Sequence, residues 1–139
     1  MQISATVINF GARHEVTVRT GAVAQALAVS AKTSGGSAVN GGEFLMLALA
    51  TCYCNDLYRE AARLGIAIDG VEVEATAEFP GIGLAATGIR YRAVVDSTAS
   101  AAAVADLLRQ TDAVAEVHNT VRSGVAVELV VEPRQQESP

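Results

Sequence analysis

The amino-acid sequence predicts an α+β fold that combines antiparallel sheet with one long, buried central helix. Stretches of alternating polarity occur in neighbouring pairs, as in antiparallel strands with one solvated face. A single long stretch near mid-chain contains good helix formers and no proline. The predicted order is three strands, a helix, two strands, two helices and a strand, which is typical of an α+β domain. We predict one domain over residues 1–132 and a polar, disordered tail over residues 133–139.

The strands follow from alternation of polar and apolar residues. Residues 3–19 predict a hairpin around a Gly11-Ala12 turn, and a third strand lies within residues 24–30. Two further stretches, 71–79 and 89–95, predict an antiparallel pair joined by a turn over 80–88. Residues 125–132 alternate again and predict a final strand.

The central helix is predicted over residues 43–64, because Gly65 stands where a helix would end. Its first half, residues 44–50, is apolar nearly all round and is therefore expected to be buried. The second half is expected to be wetter, with an ordinary charged face that carries Asn55, Asp56, Arg59, Glu60 and Arg63.

Two shorter helices are predicted after the second strand pair. Thr98 or Ser100 can cap a helix over residues 101–110. Thr111 or Asp112 can cap the next one, which stops at Ser123-Gly124.

Composition excludes several classes of partner. The chain has 139 residues and a formal net charge of −5, and no basic patch could follow a phosphate backbone or an anionic membrane. The N-terminus lacks the pattern of a secretory signal, and the longest apolar run near mid-chain is too short to cross a bilayer, so we expect a cytoplasmic protein. Residues 81–86 superficially fit a dinucleotide fingerprint, but a strand follows them instead of a helix, so no cofactor is predicted.

Two cysteines on the central helix are the candidates for chemistry. Cys52 and Cys54 are two positions apart, so on a regular helix they point about 200° apart and can share neither a metal ion nor a disulfide. No metal site is predicted. Each cysteine is either a reactive thiol or a small buried residue. His14 and His118 each fit a histidine at the edge of the core.

Several segments together resemble the OsmC/Ohr family of hydroperoxide-resistance proteins. They are the glycine-rich approach over residues 35–42, the stretch Glu43 to Cys52, Leu64-Gly65-Ile66, and the alternating stretch over residues 71–74. The resemblance covers almost the whole chain and is most specific around Cys52. It implies an intertwined homodimer whose central helices pack together and whose active sites lie at the subunit interface.

The resemblance also implies a reaction. The Cys52 thiolate attacks an organic or inorganic hydroperoxide and becomes a sulfenic acid. Arg13, from the N-terminal hairpin, lowers the pKa of the thiol, and Glu43, near the start of the central helix, orients that arginine. Cys54, Asp56 and His118 are accessory candidates near the site.

The chain departs from the family at the second cysteine, which begins a Cys-Pro-Val pattern near the penultimate helix. Ala115-Glu116-Val117 stands there instead. Three outcomes are open: an external thiol reductant regenerates Cys52, Cys54 serves after the helix distorts, or peroxidase activity is weak or lost. The alternative function is a non-catalytic member that binds a small apolar or thiol-bearing ligand at the dimer interface.

Overall fold

The structure, a computed structural model, describes residues 1–133, and its helices and strands confirm the α+β class. From residue 134 onward the predicted tail lies outside the described residues. Within residues 1–133, no helix combines the length and apolar character needed to cross a bilayer. The elements are β1 (Ile3–Phe10), β2 (Arg13–Thr20), β3 (Val23–Leu27), α1 (Gly41–Leu64), β4 (Gly70–Glu78), β5 (Thr87–Asp96), α2 (Ala101–Val114) and α3 (Glu116–Ser123).

The strands form two sheets. β1, β2 and β3 lie in that order and pair antiparallel, with Val7 opposite Val16. The predicted turn between β1 and β2 is confirmed, and Gly11 takes a positive φ of 56° there, which a side chain would resist. β4 and β5 form a separate two-stranded sheet, as the alternation predicted.

Helix α1 has a defined start and end. The Asn40 side chain accepts a hydrogen bond from the Glu43 N–H at 2.8 Å, and the Glu43 carboxylate accepts one from the Asn40 N–H at 3.0 Å. This reciprocal capping box explains why the helix begins slightly before the predicted residue. At the other end, Gly65 has a φ of 69°, and the N–H of Ile66 reaches back to the Ala61 carbonyl at 2.9 Å.

The chain divides into two compact units. Within residues 1–133, one comprises residues 1–50 and 74–92, and the other comprises residues 51–73 and 93–133. In the first unit the buried apolar side chains are Val16 and Leu49. In the second they are Tyr53, Leu57, Ala61, Leu107 and Ala115. The single domain over residues 1–132 stays a prediction.

Burial along α1 differs from the expectation. In the first half, Leu47 is 56% exposed, whereas the second half carries Leu57 at 0% and two buried carboxylates, Asp56 at 5% and Glu60 at 7%. The expectation is therefore wrong for Leu47 and for the two carboxylates. It is confirmed for Leu49, which is 2% exposed, and for three exposed residues of the second half, Asn55, Arg59 and Arg63. Burial depends on which surfaces pack together, and composition alone does not reveal that.

The region after β5 corrects two further expectations. Ser100 caps α2, as predicted, but α2 continues through Thr111 and Asp112 to Val114, so neither of these residues caps a helix. The Thr111 hydroxyl instead donates to the Leu107 carbonyl one turn earlier, at 2.7 Å. Residues 125–132 form no strand, because within residues 1–133 no strand lies beside them to share a hydrogen-bond ladder.

Candidate functional site

The Cys52 thiol lies where two helices of the second unit meet. Cys52 stands on α1, one turn before Asp56, and its sulfur is 3.6 Å from Asp56 Oδ2, toward which the S–H donates. Glu116, the first residue of α3, places Oε2 4.0 Å from the same sulfur. The cysteine is half-buried. A thiol flanked by two carboxylates is the central feature of this site.

Arg59 neutralises part of the charge of the carboxylates. Its guanidinium lies 3.0 Å from Asp56 Oδ1, 3.5 Å from Glu116 Oε1 and 3.6 Å from Glu60 Oε1. Arg63 pairs with Glu60 as well and donates to the Gln110 side chain at 2.7 Å. These pairs explain how two carboxylates can be buried on α1, since a buried charge requires a partner. They also join α1 to both α2 and α3.

The surroundings oppose ionisation of the thiol. Burial raises the pKa of Cys52, and the negative charges of Asp56 and Glu116 raise it further, while a hydrogen bond from the Val117 backbone acts in the opposite direction. Burial also raises the pKa of Asp56, against the attraction of Arg59. The contacts of the sulfur within this chain therefore favour the thiol over the thiolate, and a cation beside the sulfur would favour the thiolate.

The accessory candidates have different positions. Asp56 accepts the hydrogen bond from the Cys52 thiol, as described above. Cys54 is half-buried and carries a free thiol. His118 is 3% exposed and packs against Tyr53, with ring centroids 5.9 Å apart. Burial lowers the pKa of His118, and Arg122 lowers it further.

Arg13 and Glu43 both lie in the first unit, and each makes defined contacts there. Arg13 donates to both carboxylate oxygens of Glu15, at 2.8 and 3.0 Å, and this pair raises the pKa of Arg13. Glu43 closes the capping box at the start of α1. Their roles toward Cys52 stay predictions.

Sequence reasoning missed Glu116 and Arg59 as members of the site. The sequence predicts an ordinary charged face for Arg59, although its spacing of three residues from Asp56 places the two side chains side by side on the helix. Glu116 is 64 residues from Cys52, and no local pattern connects the two positions. Only the packing of α3 against α1 brings them together.

The same cluster offers a set of metal ligands. Single atoms of Cys52, Asp56 and Glu116 lie within 4.8 Å of one another. A thiolate and two carboxylate oxygens are donors that suit a borderline cation such as Zn²⁺.

Comparison with known protein families matches residues 34–130 to the family described as OsmC-like protein. This chain belongs to the OsmC-like family. No curated protein sequence matches it. The predicted resemblance is thus confirmed at the level of the family.

Solved structures share the OsmC-like fold at low identity. The OsmC-like protein of Mycoplasma pneumoniae has a TM-score of 0.61 and 15% identity, covering 86% of this chain and 87% of that one. An organic hydroperoxide resistance protein from Legionella pneumophila has a TM-score of 0.60 and 17% identity, covering 88% and 90%. Another, from Elizabethkingia anophelis, has a TM-score of 0.60 and 17% identity, covering 88% and 89%.

In this OsmC-like protein, the structure shows which residues occupy the position of the family's second cysteine and its neighbour. Ala115, at the position predicted for that cysteine, is fully buried between α2 and α3. The next residue, Glu116, directs a carboxylate toward the Cys52 sulfur. Alanine therefore occupies the position of the family's second cysteine, and the residue after it places a negative charge beside Cys52.

Proposed function

We propose that this OsmC-like protein reduces hydroperoxides through the thiol of Cys52. The observation that carries the proposal is the half-buried Cys52 sulfur on α1, which donates to Asp56 and is contacted by the first turn of α3. The names of two similar structures, both organic hydroperoxide resistance proteins, support the choice of substrate class.

The proposed reaction transfers one oxygen atom to sulfur. The Cys52 thiolate attacks one oxygen of the hydroperoxide, the O–O bond breaks, and the alkoxide leaves and takes up a proton to become an alcohol. Cys52 is then a sulfenic acid. An external thiol condenses with it, releasing water and forming a mixed disulfide. A second external thiol then attacks the external sulfur of that disulfide, the S–S bond to Cys52 breaks, and the Cys52 thiolate and an external disulfide are released. Two electrons pass from the external thiols to the peroxide.

Deprotonation of Cys52 is the demanding step. Asp56 is positioned to accept the proton, since its carboxylate already accepts the S–H. Because two carboxylates disfavour the thiolate, the reaction requires a cation that Arg59, shared among three carboxylates, supplies only in part. We assign that task to Arg13, with Glu43 as the residue that orients it.

We further propose a homodimer with active sites at its interface. The first unit exposes apolar side chains that a second copy would cover, among them Ile3, Val7, Phe10, Val23 and Leu47. Leu47→Glu is expected to lower the dimer fraction in analytical ultracentrifugation. Ala62→Glu, the same charge on an exposed position of the second half of α1, is the control. A wild-type monomer at micromolar concentration would contradict this part of the proposal.

The peroxidase proposal is tested by trapping the sulfenic acid. Reduced protein is treated with cumene hydroperoxide and a sulfenate-trapping reagent, and we expect mass spectrometry to locate the adduct on Cys52. Cys52→Ser should abolish peroxide consumption, and Cys54→Ser shows whether Cys54 takes part in turnover. Equal consumption by wild type and Cys52→Ser would refute the proposal.

The role of Glu43 can be separated from its role as a helix cap. Glutamine preserves a capping box, so Glu43→Gln should leave the stability of α1 nearly unchanged while removing the charge. If Glu43 orients Arg13, Glu43→Gln lowers peroxide consumption at unchanged thermal stability. Full activity of that variant would restrict Glu43 to capping.

A second candidate function is binding of a small apolar ligand without catalysis. Two observations favour it: the raised pKa of Cys52 and a cavity of about 660 Å³ beside the start of α1. The cavity is lined mainly by apolar surface and by Asn40, Gly42, Glu43, Met46, Ala77 and Phe79. Thiol titration distinguishes the functions, because a pKa at or above the ordinary ~8.5 favours binding and a depressed one favours catalysis.

A further inference from the structure

The charged cluster around Cys52 carries excess negative charge. Three carboxylates, those of Asp56, Glu60 and Glu116, share two guanidinium groups, those of Arg59 and Arg63. The cluster is therefore net negative before Cys52 ionises and more negative afterwards.

Glu116 is the carboxylate that an approaching molecule meets. Its side chain is 70% exposed, whereas that of Asp56 is 8% exposed and paired with Arg59 at 3.0 Å. The backbone at the start of α3 and the charge of Arg59 lower the pKa of Glu116, so it is ionised at neutral pH. A molecule that reacts with the Cys52 sulfur comes close to this negative charge, because Glu116 Oε2 is 4.0 Å from the sulfur.

We propose that Glu116 makes the Cys52 thiol selective by charge, so that it reacts with neutral or cationic molecules in preference to anionic ones. Two like charges several ångströms apart at a protein surface repel each other enough to change a rate severalfold. Arg59 cannot compensate, because its charge is already divided among three carboxylates.

For the proposed peroxidase, this selectivity defines the classes of substrate and reductant. Neutral organic hydroperoxides and neutral or cationic thiols would reach the sulfur, whereas hydroperoxides and thiols that carry a carboxylate would be disfavoured. This extension rests on the proposed function. The selectivity of the thiol itself does not, because it applies to any reagent that attacks or is attacked by the sulfur.

Three disulfide reagents of different charge test the proposal. They are the dianionic 5,5′-dithiobis(2-nitrobenzoate), the neutral 4,4′-dithiodipyridine and the dicationic cystamine. In each reaction the Cys52 thiolate attacks one sulfur of the reagent, the S–S bond breaks, and a thiol or thiolate leaves. Mass spectrometry follows the modification of Cys52 separately from Cys54. Rates are expressed relative to the neutral reagent, which cancels any change in the ionisation of Cys52.

Glu116→Gln is expected to raise the anionic-to-neutral rate ratio about fivefold at an ionic strength of about 0.01 M, and to lower the cationic-to-neutral ratio. Higher salt should shrink both changes through screening. Glu116→Asp keeps the charge and should retain the selectivity of the wild type. Glu128→Gln, which makes the same change in net charge at another exposed site, should leave both ratios unchanged.

Unchanged ratios in Glu116→Gln, or equal changes in Glu128→Gln, would overturn the proposal. The result is independent of peroxidase activity, since none of the three reagents is a peroxide. A protein that fails to reduce cumene hydroperoxide but shows the expected ratios loses the proposed function and keeps the charge selectivity. A protein that reduces cumene hydroperoxide but shows unchanged rate ratios in Glu116→Gln keeps the proposed function and loses the charge selectivity.

Discussion

The two halves of helix α1 contrast in composition and in burial. Residues 41–50 are mostly apolar, yet Leu47 is largely exposed; residues 51–64 carry most of the charge, yet Leu57 and two carboxylates are buried. The second half packs with α2 and α3, through contacts such as the hydrogen bond from Tyr53 Oη to the Leu108 carbonyl at 2.8 Å. The comparison shows that a side chain is buried where another element packs against it, and that a buried charge needs an oppositely charged neighbour.

The largest effect that can test this comparison is on stability. Leu57→Ala removes a fully buried side chain and is expected to cost about 2–5 kcal/mol of unfolding free energy. Leu47→Ala, the matched change in the exposed half, should cost less than about 1 kcal/mol if that half stays uncovered. Urea denaturation at two protein concentrations measures both. Equal costs in a monomeric protein would break the comparison, and a cost for Leu47→Ala that depends on concentration would indicate cover by a second copy.

Loss of the helix cap is expected to have a smaller effect on stability. Asn40→Ala removes the side chain that accepts the Glu43 N–H, so it should destabilise the protein by about 1 kcal/mol. Asn55→Ala, at an exposed position inside the second half, should be neutral or slightly stabilising, because alanine has the higher helix propensity. Thermal unfolding of both variants measures the difference. If the two variants prove equally stable, the capping box contributes nothing.

The smallest expected effect is a pH dependence in the second unit. His118 has a lowered pKa in the folded protein because it is buried and faces Arg122, with Asp112 acting in the opposite direction. Because the folded pKa is lowered, the contribution of neutral His118 to the free energy of unfolding is complete above the unfolded pKa of about 6.5. This contribution is lost as the pH falls through the folded pKa. His118→Gln should therefore lose less stability between pH 7 and pH 5 than the wild type. The control variant His14→Gln, which leaves His118 in place, should lose as much stability between pH 7 and pH 5 as the wild type.

Much of the fold could be predicted because its signals are local. Alternation located β1, β2, β4 and β5, and a long proline-free stretch that ends at Gly65 located α1. The failures have two causes, one non-local and one local. Residues 125–132 have the pattern of a strand, but a strand exists only beside another strand. Thr111 has the chemistry of a cap, but a hydroxyl can equally bond to the preceding turn within a helix.

The candidate site was predictable only in part. Cys52 and Asp56 share a face of one helix, so their proximity follows from helical spacing. Glu116 reaches the site only through the packing of α3. Asp56 and Glu60 can be buried because they pair with arginines, and their polarity alone does not indicate that burial. Arg13 and Glu43 follow from the resemblance and stay predictions.

The shared guanidinium of Arg59 makes α3 sensitive to the oxidation state of the sulfur. Irreversible oxidation of Cys52 to a sulfinate would place a permanent anion against Glu116 and compete for the same counter-ion. The first turn of α3 would then separate more readily from α1. Overoxidised protein should accordingly exchange the amide hydrogens of α3 faster than those of α2, because oxidation of a single sulfur atom loosens the whole of α3.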